Sequence, residues 1–553
     1  MISCRNWTAL ICASLFGAGL FFSTFSVRAQ RSQERYEALK AETTDLSSQA
    51  IQRGEDFTTN KNGYITSNKD KQIEVDETFT THLPLIVIET PKGRPEELHY
   101  YDKEQKDYVL REGIERYKQG RISLIHKESG YNSPLDEPEK ESSMRIRMRG
   151  NSSMLFDKHQ YLIKLTHEDG TDNKVNLLGM GKESDWILNI SMIDKSLMRN
   201  KLSYDLSSQI LPGVSDSQYC EVLWKEGDTY TYEGVYLLIE PVEVSKNRVQ
   251  VTEQRANQPF LPALMRRDRM QDDAVILGNT ASADGTYYGA IEVLYPKKEE
   301  ILPGKLDLLN EQIETFEQTL LSEDPDTFIR YREMVNIDSF VDYFLINEFF
   351  GNYDAGNNST YFYIDSNGKI TMGPVWDFDG AMDNWTVQAS NNHSTAMNTA
   401  PWFSELVRDP EFVRLLSERF VELRRKLLSD EKIEEQIVKY VNELGPAIER
   451  DYARWGYFYT SENLEPKNDG SSRNVSSFEE EALRLQNNLK EHGDWLEENL
   501  MNMTAVYQTD LSISEPIISN SWAELVKNDL LPVLFLAAFI SSIILIQRGY
   551  RSA

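Results

Sequence analysis

The chain has 553 residues, 40% of them apolar and 11% aromatic, with 88 acidic against 59 basic side chains and a formal net charge of −29. That length favours two or three substructures over one small core, and so acidic a surface repels phosphate backbones, which argues against nucleic acid as a partner. The seven His show no HExxH pattern, and of three Cys only Cys220 lies outside the N-terminal segment 1–29, so zinc hydrolysis has no support and no intrachain disulfide framework exists.

Arg5 precedes the apolar run Trp7–Val27, and Ala29 closes a small-residue context before Gln30. Residues 1–29 therefore read as an export signal or, given the length of the run, an uncleaved anchor. Residues 30–78 are polar and charged, with Ala, Leu and Glu at helical spacing in their first half, and read as a stalk. His82–Ile88 is the first strong strand. Met144–Arg149 alternates apolar and basic residues with period two, the mark of a half-buried strand. Gly150-Asn151-Ser152-Ser153 breaks it, and Tyr161–Leu165 forms the next strand. Asp194 is placed to cap a helix over 195–209, with Leu197, Met198, Leu202 and Leu206 on its apolar face. Glu221–Trp224 and Glu233–Glu240 are strands, Gln254–Met270 is basic and loop-like, and Ala290–Leu294 is a strand. Leu306–Leu321 and Asp324–Val335 are helices.

Next comes an apolar helical run, Ile337–Phe350, then the polar loop Gly351–Thr360, which carries Asp354, Asn357 and Asn358. Tyr361–Ile364 and Lys369–Met372 form a hairpin around the turn Asp365-Ser366-Asn367-Gly368. Val375-Trp376-Asp377-Phe378-Asp379-Gly380 follows. From Phe403 to about Leu500 the pattern is helical, with an interruption over 460–476. A linker at 501–529 leads to the 17-residue run Leu530–Ile546, apolar but for Pro532 and two Ser, about 25 Å as a helix and enough for a membrane span; a buried terminal helix or a C-terminal sorting signal would read similarly. Asp529 precedes that run and Arg548 and Arg551 follow it, which places tail 547–553 in the cytoplasm and the main body outside, at the cell surface or in the periplasm. The fold class is α+β: one body over 79–500 with a helical C-terminal part, between an N-terminal signal or anchor and a C-terminal transmembrane helix.

The unit of helix, polar loop, hairpin and acidic loop brings two carboxylate-bearing loops together. Phosphoryl transfer needs that arrangement, with one carboxylate to orient a hydroxyl and another to hold a metal on the phosphates. Asp377 and Asp379, two apart, can share Mg²⁺ or Mn²⁺. Upstream, Gly150, Asn151, Ser152 and Ser153 could offer backbone N–H groups and hydroxyls to phosphate, with Lys164 as a point charge. Residue by residue, plainer readings stay open: an ordinary Gly-Asn turn, a solvated strand lysine, and Asp as a helix cap near Gly380.

As an ordered set the segments resemble the spore-coat protein H (CotH) family of atypical kinases. The matching pieces are Arg149-Gly-Asn-Ser-Ser153, Tyr161-Leu-Ile-Lys164-Leu, Asp185-Trp-Ile-Leu188, Asp194-Lys-Ser-Leu-Met-Arg199-Asn200, Gly234-Val-Tyr-Leu-Leu-Ile-Glu240, Tyr295-Pro296, Asn352-Tyr-Asp354 and Gly373-Pro-Val-Trp-Asp377-Phe-Asp379. The resemblance covers about residues 80–500. It implies a highly diverged protein-kinase-like fold and ATP- and metal-dependent phosphorylation of protein serines, which for this chain is read as Ser or Thr of surface or secreted proteins. It gives Asp354 the catalytic role, Asp377 the metal with Asp379 as a second acid, and Lys164 the phosphates. Glu240 would end the hinge strand beside adenine, and Arg199 and Asn200 belong to a family helix without an assigned contact. One departure stands out: the kinase metal-binding Asn lies five residues after the catalytic Asp, and here that position is Ser359, so either Asn358 or Ser359 serves. The acid partner of Lys164 is unidentified, Asp205 being one candidate. Three functional readings follow: an exported, membrane-tethered kinase, a catalytically silent adhesion or binding protein on the same fold, and a metal-dependent glycosyltransferase using Asp377 and Asp379.

Overall fold

Alternation along Lys140–Met148 puts Met144, Ile146 and Met148 inside and leaves Arg145 and Arg147 half-buried on the other face. The same two-faced pattern recurs in Tyr161–Thr166, where Tyr161, Ile163 and Leu165 point inward and Leu162 and Lys164 outward. Seven such strands close into a barrel, which leaves no free sheet edge. The computed structural model describes residues 69–501, apart from 103, 105–106, 128–129, 151, 269–273, 282, 284, 288, 385–392 and 460–476.

In chain order the strands are β1 Leu85–Glu89, β2 His99–Asp102, β3 Asp107–Leu110, β4 Lys118–Ile125, β5 Lys140–Met148, β6 Tyr161–Thr166, β7 Val175–Asn176, β8 Lys182–Glu183, β9 Asp185–Asn189, β10 Ser217–Glu226, β11 Thr229–Ile239, β12 Ala263–Asp268, β13 Val275–Ile276, β14 Ala290–Tyr295, β15 Thr360–Ile364 and β16 Ile370–Met372. The barrel runs β1-β10-β11-β9-β6-β5-β4, with β1 parallel to β10 and the other neighbours antiparallel. Its interior holds Ile86, Ile146, Ile163, Trp186, Trp224 and Leu238. Outward residues of β9 and β11, Ile187, Val235, Leu237 and Ile239, pack instead into the larger core of the helical half.

That half is built around a second sheet, β13-β14-β12-β15-β16, and helices at Lys305–Leu320, Ile337–Phe349, Pro410–Arg424, Asp430–Leu444, Ala447–Trp455 and Phe478–Asn499. The helix Ile337–Phe349 is buried nearly all round, as the centre of a core requires. The C-terminal helices also reach back to the barrel. Arg450 pairs with Glu221 at 2.7 Å, and buried Lys158 pairs with Asp451 at 2.7 Å. Gly234, with φ +107°, leaves room for that pair, since a Cβ there would sit 2.5 Å from Asp451 Oδ1.

Several sequence expectations need correction. Gln254–Met270 is not a loop throughout: β12 is the middle strand of the second sheet, and its basic Arg266 and Arg267 are neutralised by Glu292 and Glu317. The helix after Asp194 spans only Arg199–Ser207, because Asp194 Oδ1 first accepts the Ser196 N–H in a turn. Asp324–Val335 divides into two short helices, Pro325–Phe328 and Tyr331–Met334. The first strand starts at Leu85 rather than His82, after Pro84, which has no N–H to give a ladder. Residues 1–29, nearly all of the stalk 30–78, and the apolar run 530–546 lie outside the described residues. Among the described residues, no helix is long and apolar enough to cross a membrane.

Candidate active site

The hairpin forms as its turn chemistry requires: Gly368 takes φ +70° and its N–H donates to Asp365 O at 2.8 Å. β15 and β16 pair from Phe362↔Met372 to Ile364↔Ile370. The two loops at its open end are then tied directly. Asn352 Nδ2 donates to Asn347 Oδ1 at 3.1 Å and to Trp376 O at 3.5 Å, and Met382 N donates to Phe350 O at 2.8 Å.

Asp354, exposed at the loop crest, has its carbonyl taken by the N–H groups of Asn357 (3.1 Å) and Asn358 (2.8 Å). Its carboxylate is an electrostatic neighbour of both Asp377 and Asp379. Burial first, then the Asp354 carboxylate, pushes Asp377 up to about 6, while the Arg149 guanidinium opposes the rise. Burial and the Asp377 carboxylate hold Asp379 well above the usual carboxylate range, and the two carboxyls share a hydrogen bond. Asp354, Asp377 and Asp379 thus repel one another at a strained loop, a repulsion that a bound cation would relieve. Ser359, Asp377, Met382 and Asp383 all have positive φ, between 49° and 68°, unfavourable for side-chain-bearing residues and typical of functional loops.

A divalent ion fits this donor set. Asn358 Oδ1, on the loop of Asp354, is buried without a hydrogen-bond partner, and an amide oxygen is a hard-cation ligand. Among the described residues no group of three or more His, Cys, Asp or Glu is placed to hold a metal ion by itself. A cation completed by one or two carboxylates and substrate phosphates needs none. Ser359 donates its hydroxyl to Asp377 Oδ2 at 3.4 Å. Asn358 is thus the residue with an uncommitted oxygen, and Ser359 supports the acid.

The helix at Arg199 fixes the acidic loop. Asn200 Oδ1 accepts from Phe378 N at 2.7 Å, Arg199 Nε and Nη2 donate to Ala381 O and Met382 O at 3.1 Å each, and the Tyr204 hydroxyl accepts from Asp377 N at 3.2 Å. Fully buried Arg199 is balanced by Asp194 (2.5 Å) and Glu481 (2.9 Å). From Asn200 a chain of amides runs to the barrel: its Nδ2 donates to Asn189 Oδ1 (3.2 Å), Asn189 Nδ2 to Gln160 Oε1 (3.1 Å), and Arg149 Nη1 to the same Oε1 (3.1 Å). Gln160 also donates to Ser153 Oγ. The sequence signalled Arg199 and Asn200 as a motif without contacts, and gave no sign of Gln160 or Asn189.

Lys164 faces outward from β6 opposite Asp185 in β9 and forms an ion pair with it. Asp185 is therefore the partner acid. Asp205 instead takes Lys201 at 2.9 Å and Tyr440 at 2.7 Å. The cation that faces Asp377 electrostatically is Arg149. Glu240 is 2% exposed and its carboxylate accepts Asp216 N at 2.9 Å, which fastens the start of β10 at the expected hinge strand. Gly150 has φ +102°, where a Cβ would fall 1.9 Å from Ser153 Oγ. Ser152 opens a short 3₁₀ turn, and Asn151 lies outside the described residues.

No curated protein matches the chain. The family described as CotH kinase protein matches residues 146–496, a span that holds the Gly150 turn, the acidic loops and the helices that buttress them. With most of the chain matched, from the third barrel strand to the last helix, the protein belongs to the CotH kinase family.

Proposed function

We propose that the chain is an exported, membrane-tethered kinase that moves the terminal phosphoryl group of ATP onto Ser or Thr hydroxyls of surface or secreted proteins. The observation that supports this most is the convergence of Asp354, whose loop also carries the uncommitted amide oxygen of Asn358, with the Asp377–Asp379 pair. Asp354, the exposed acid, is suited to take the acceptor's proton as the hydroxyl oxygen bonds to the γ-phosphorus. The bond from phosphorus to the β–γ bridging oxygen breaks, and ADP leaves with its electron pair. Asp377, Asp379 and Asn358 would hold Mg²⁺ or Mn²⁺, which when bound neutralises charge on the phosphates. Lys164, held by its ion pair with Asp185, would supply an ammonium to the phosphates. Export and tethering rest on the apolar runs 7–27 and 530–546. Fractionation of cells and protease accessibility of the chain test them.

One observation favours the silent-scaffold reading: Ser359 stands where a kinase places its metal-binding Asn, five residues after the catalytic acid. Incubation of the full chain with labelled ATP and Mn²⁺ or Mg²⁺, followed by mapping of labelled residues, separates the two. Transfer to Ser or Thr supports the kinase. Absence of both transfer and any thermal shift with nucleotide and metal supports the scaffold.

A further inference from the structure

We propose that Arg149 is a phosphate-binding residue, a second cation that meets the triphosphate of a nucleotide across from Asp377; the assignment rests on the phosphotransfer reading.

Within a chain whose acids outnumber its bases by 29, the outward side of β5 and its end carry Arg145, Arg147 and Arg149 in a period-two row. The first two are occupied by Tyr117, whose ring lies 5.8 Å from each guanidinium. Other sheltered cations near the cleft have carboxylate partners: Arg199 has Asp194 and Glu481, Arg266 has Glu292, Arg267 has Glu317, and Lys164 has Asp185. Arg149 differs. Among the described residues no carboxylate forms an ion pair with it. It donates to the neutral Gln160 amide at 3.1 Å and stands 5.7 Å from the Trp376 ring. Burial disfavours its charge, against the fields of Tyr361 and Asp377, and a sheltered cation with no carboxylate in contact is costly unless an anion completes it.

Two features aim it at phosphate. Trp376 immediately precedes Asp377, so the guanidinium lies beside the metal-site loop. Gln160 is held in turn by Asn189 and Ser153, and through Asn189 and Asn200 by the Phe378 amide, so the fork is fixed relative to the acids. A planar guanidinium presents paired donors that match two phosphate oxygens, which a lysine cannot do.

The test is equilibrium binding of ATP, ADP and adenosine, with Mn²⁺, to the full-length chain and its Arg149→Gln and Arg149→Lys variants. Loss of one charge-assisted contact predicts ATP affinity about 10- to 100-fold weaker in Arg149→Gln, with a smaller loss in Arg149→Lys. Adenosine binding should be unchanged in both, which also shows that the variants fold. Equal ATP affinity in wild type and Arg149→Gln overturns the assignment and leaves the kinase reading standing. If the wild-type chain binds neither ATP nor adenosine, the kinase reading itself falls and takes Arg149 with it.

Discussion

Asn200 holds the loop of Asp377 in place: its Oδ1 accepts the Phe378 amide at 2.7 Å while its Nδ2 donates to Asn189 at 3.2 Å. Its neighbour Arg199 takes the carbonyls of Ala381 and Met382. One helical turn thus grips the chain on both sides of Asp379 and keeps Asp377 at φ +68°, a conformation the residue would not adopt unaided.

Replacement of Asn200 by Ala should leave the Phe378 N–H buried without an acceptor, at about 1–3 kcal/mol. The account expects a larger fractional loss in phosphoryl transfer than in folding. Steady-state kinetics beside a denaturant titration checks this; a variant that loses stability but keeps its kcat contradicts the positioning role.

Arg199→Met leaves Asp194 buried without its ion-pair partner and Glu481 with Arg484 alone. The nearby cations, Arg199 foremost, outweigh burial and hold the Glu481 carboxyl down at about 2. Removal of one member of such a buried group costs about 3–5 kcal/mol. Arg199→Lys should recover little, because an ammonium cannot reach two carboxylates and two carbonyls as a fork does. A thermal melt of both variants measures this, and a Lys variant as stable as wild type contradicts it.

Much of this was legible in the sequence where local chemistry and period agree. The hairpin is announced by Asp365-Ser-Asn-Gly368, the strand pair around Gly150 by alternation, and the acids by their spacing. What stayed hidden depends on closure of the barrel. The Lys164–Asp185 pair is set by the β6–β9 register, which no local pattern encodes. β12 was hidden because Arg266 and Arg267 look solvated until Glu292 and Glu317, distant in sequence, are placed beside them. The amide chain from Gln160 to Asn200 is equally silent, since single Gln and Asn residues carry no spacing signal.

Glu348 gives the fold a pH dependence. Its fully buried carboxylate accepts the N–H groups of Ala396 and Met397 at 2.8 Å each, with His492 Nε2 3.9 Å away. Burial pushes it up to about 7, against those bonds. Its folded-state value lies above the ordinary 4.5, so the folded chain holds the extra proton between 4.5 and about 7. Stability from this group is full below that window and falls as pH rises through it, by up to about 3 kcal/mol. Glu348→Gln should match wild type near pH 4.5 and exceed it at pH 8. Urea midpoints across that range test the sign, and a constant difference contradicts it.

The central claim is that Asp354 and Asp377 serve one phosphoryl transfer. The most direct measurement is transfer of labelled phosphate from ATP with Mn²⁺ by the full chain and by Asp354→Asn and Asp377→Asn. Asparagine keeps the shape of each side chain and relieves the carboxylate repulsion, so thermal stability should hold or rise. The account predicts that each variant, folded, loses transfer by orders of magnitude, with Mn²⁺ binding weakened in Asp377→Asn and kept in Asp354→Asn. Transfer at the wild-type rate in either variant would contradict it.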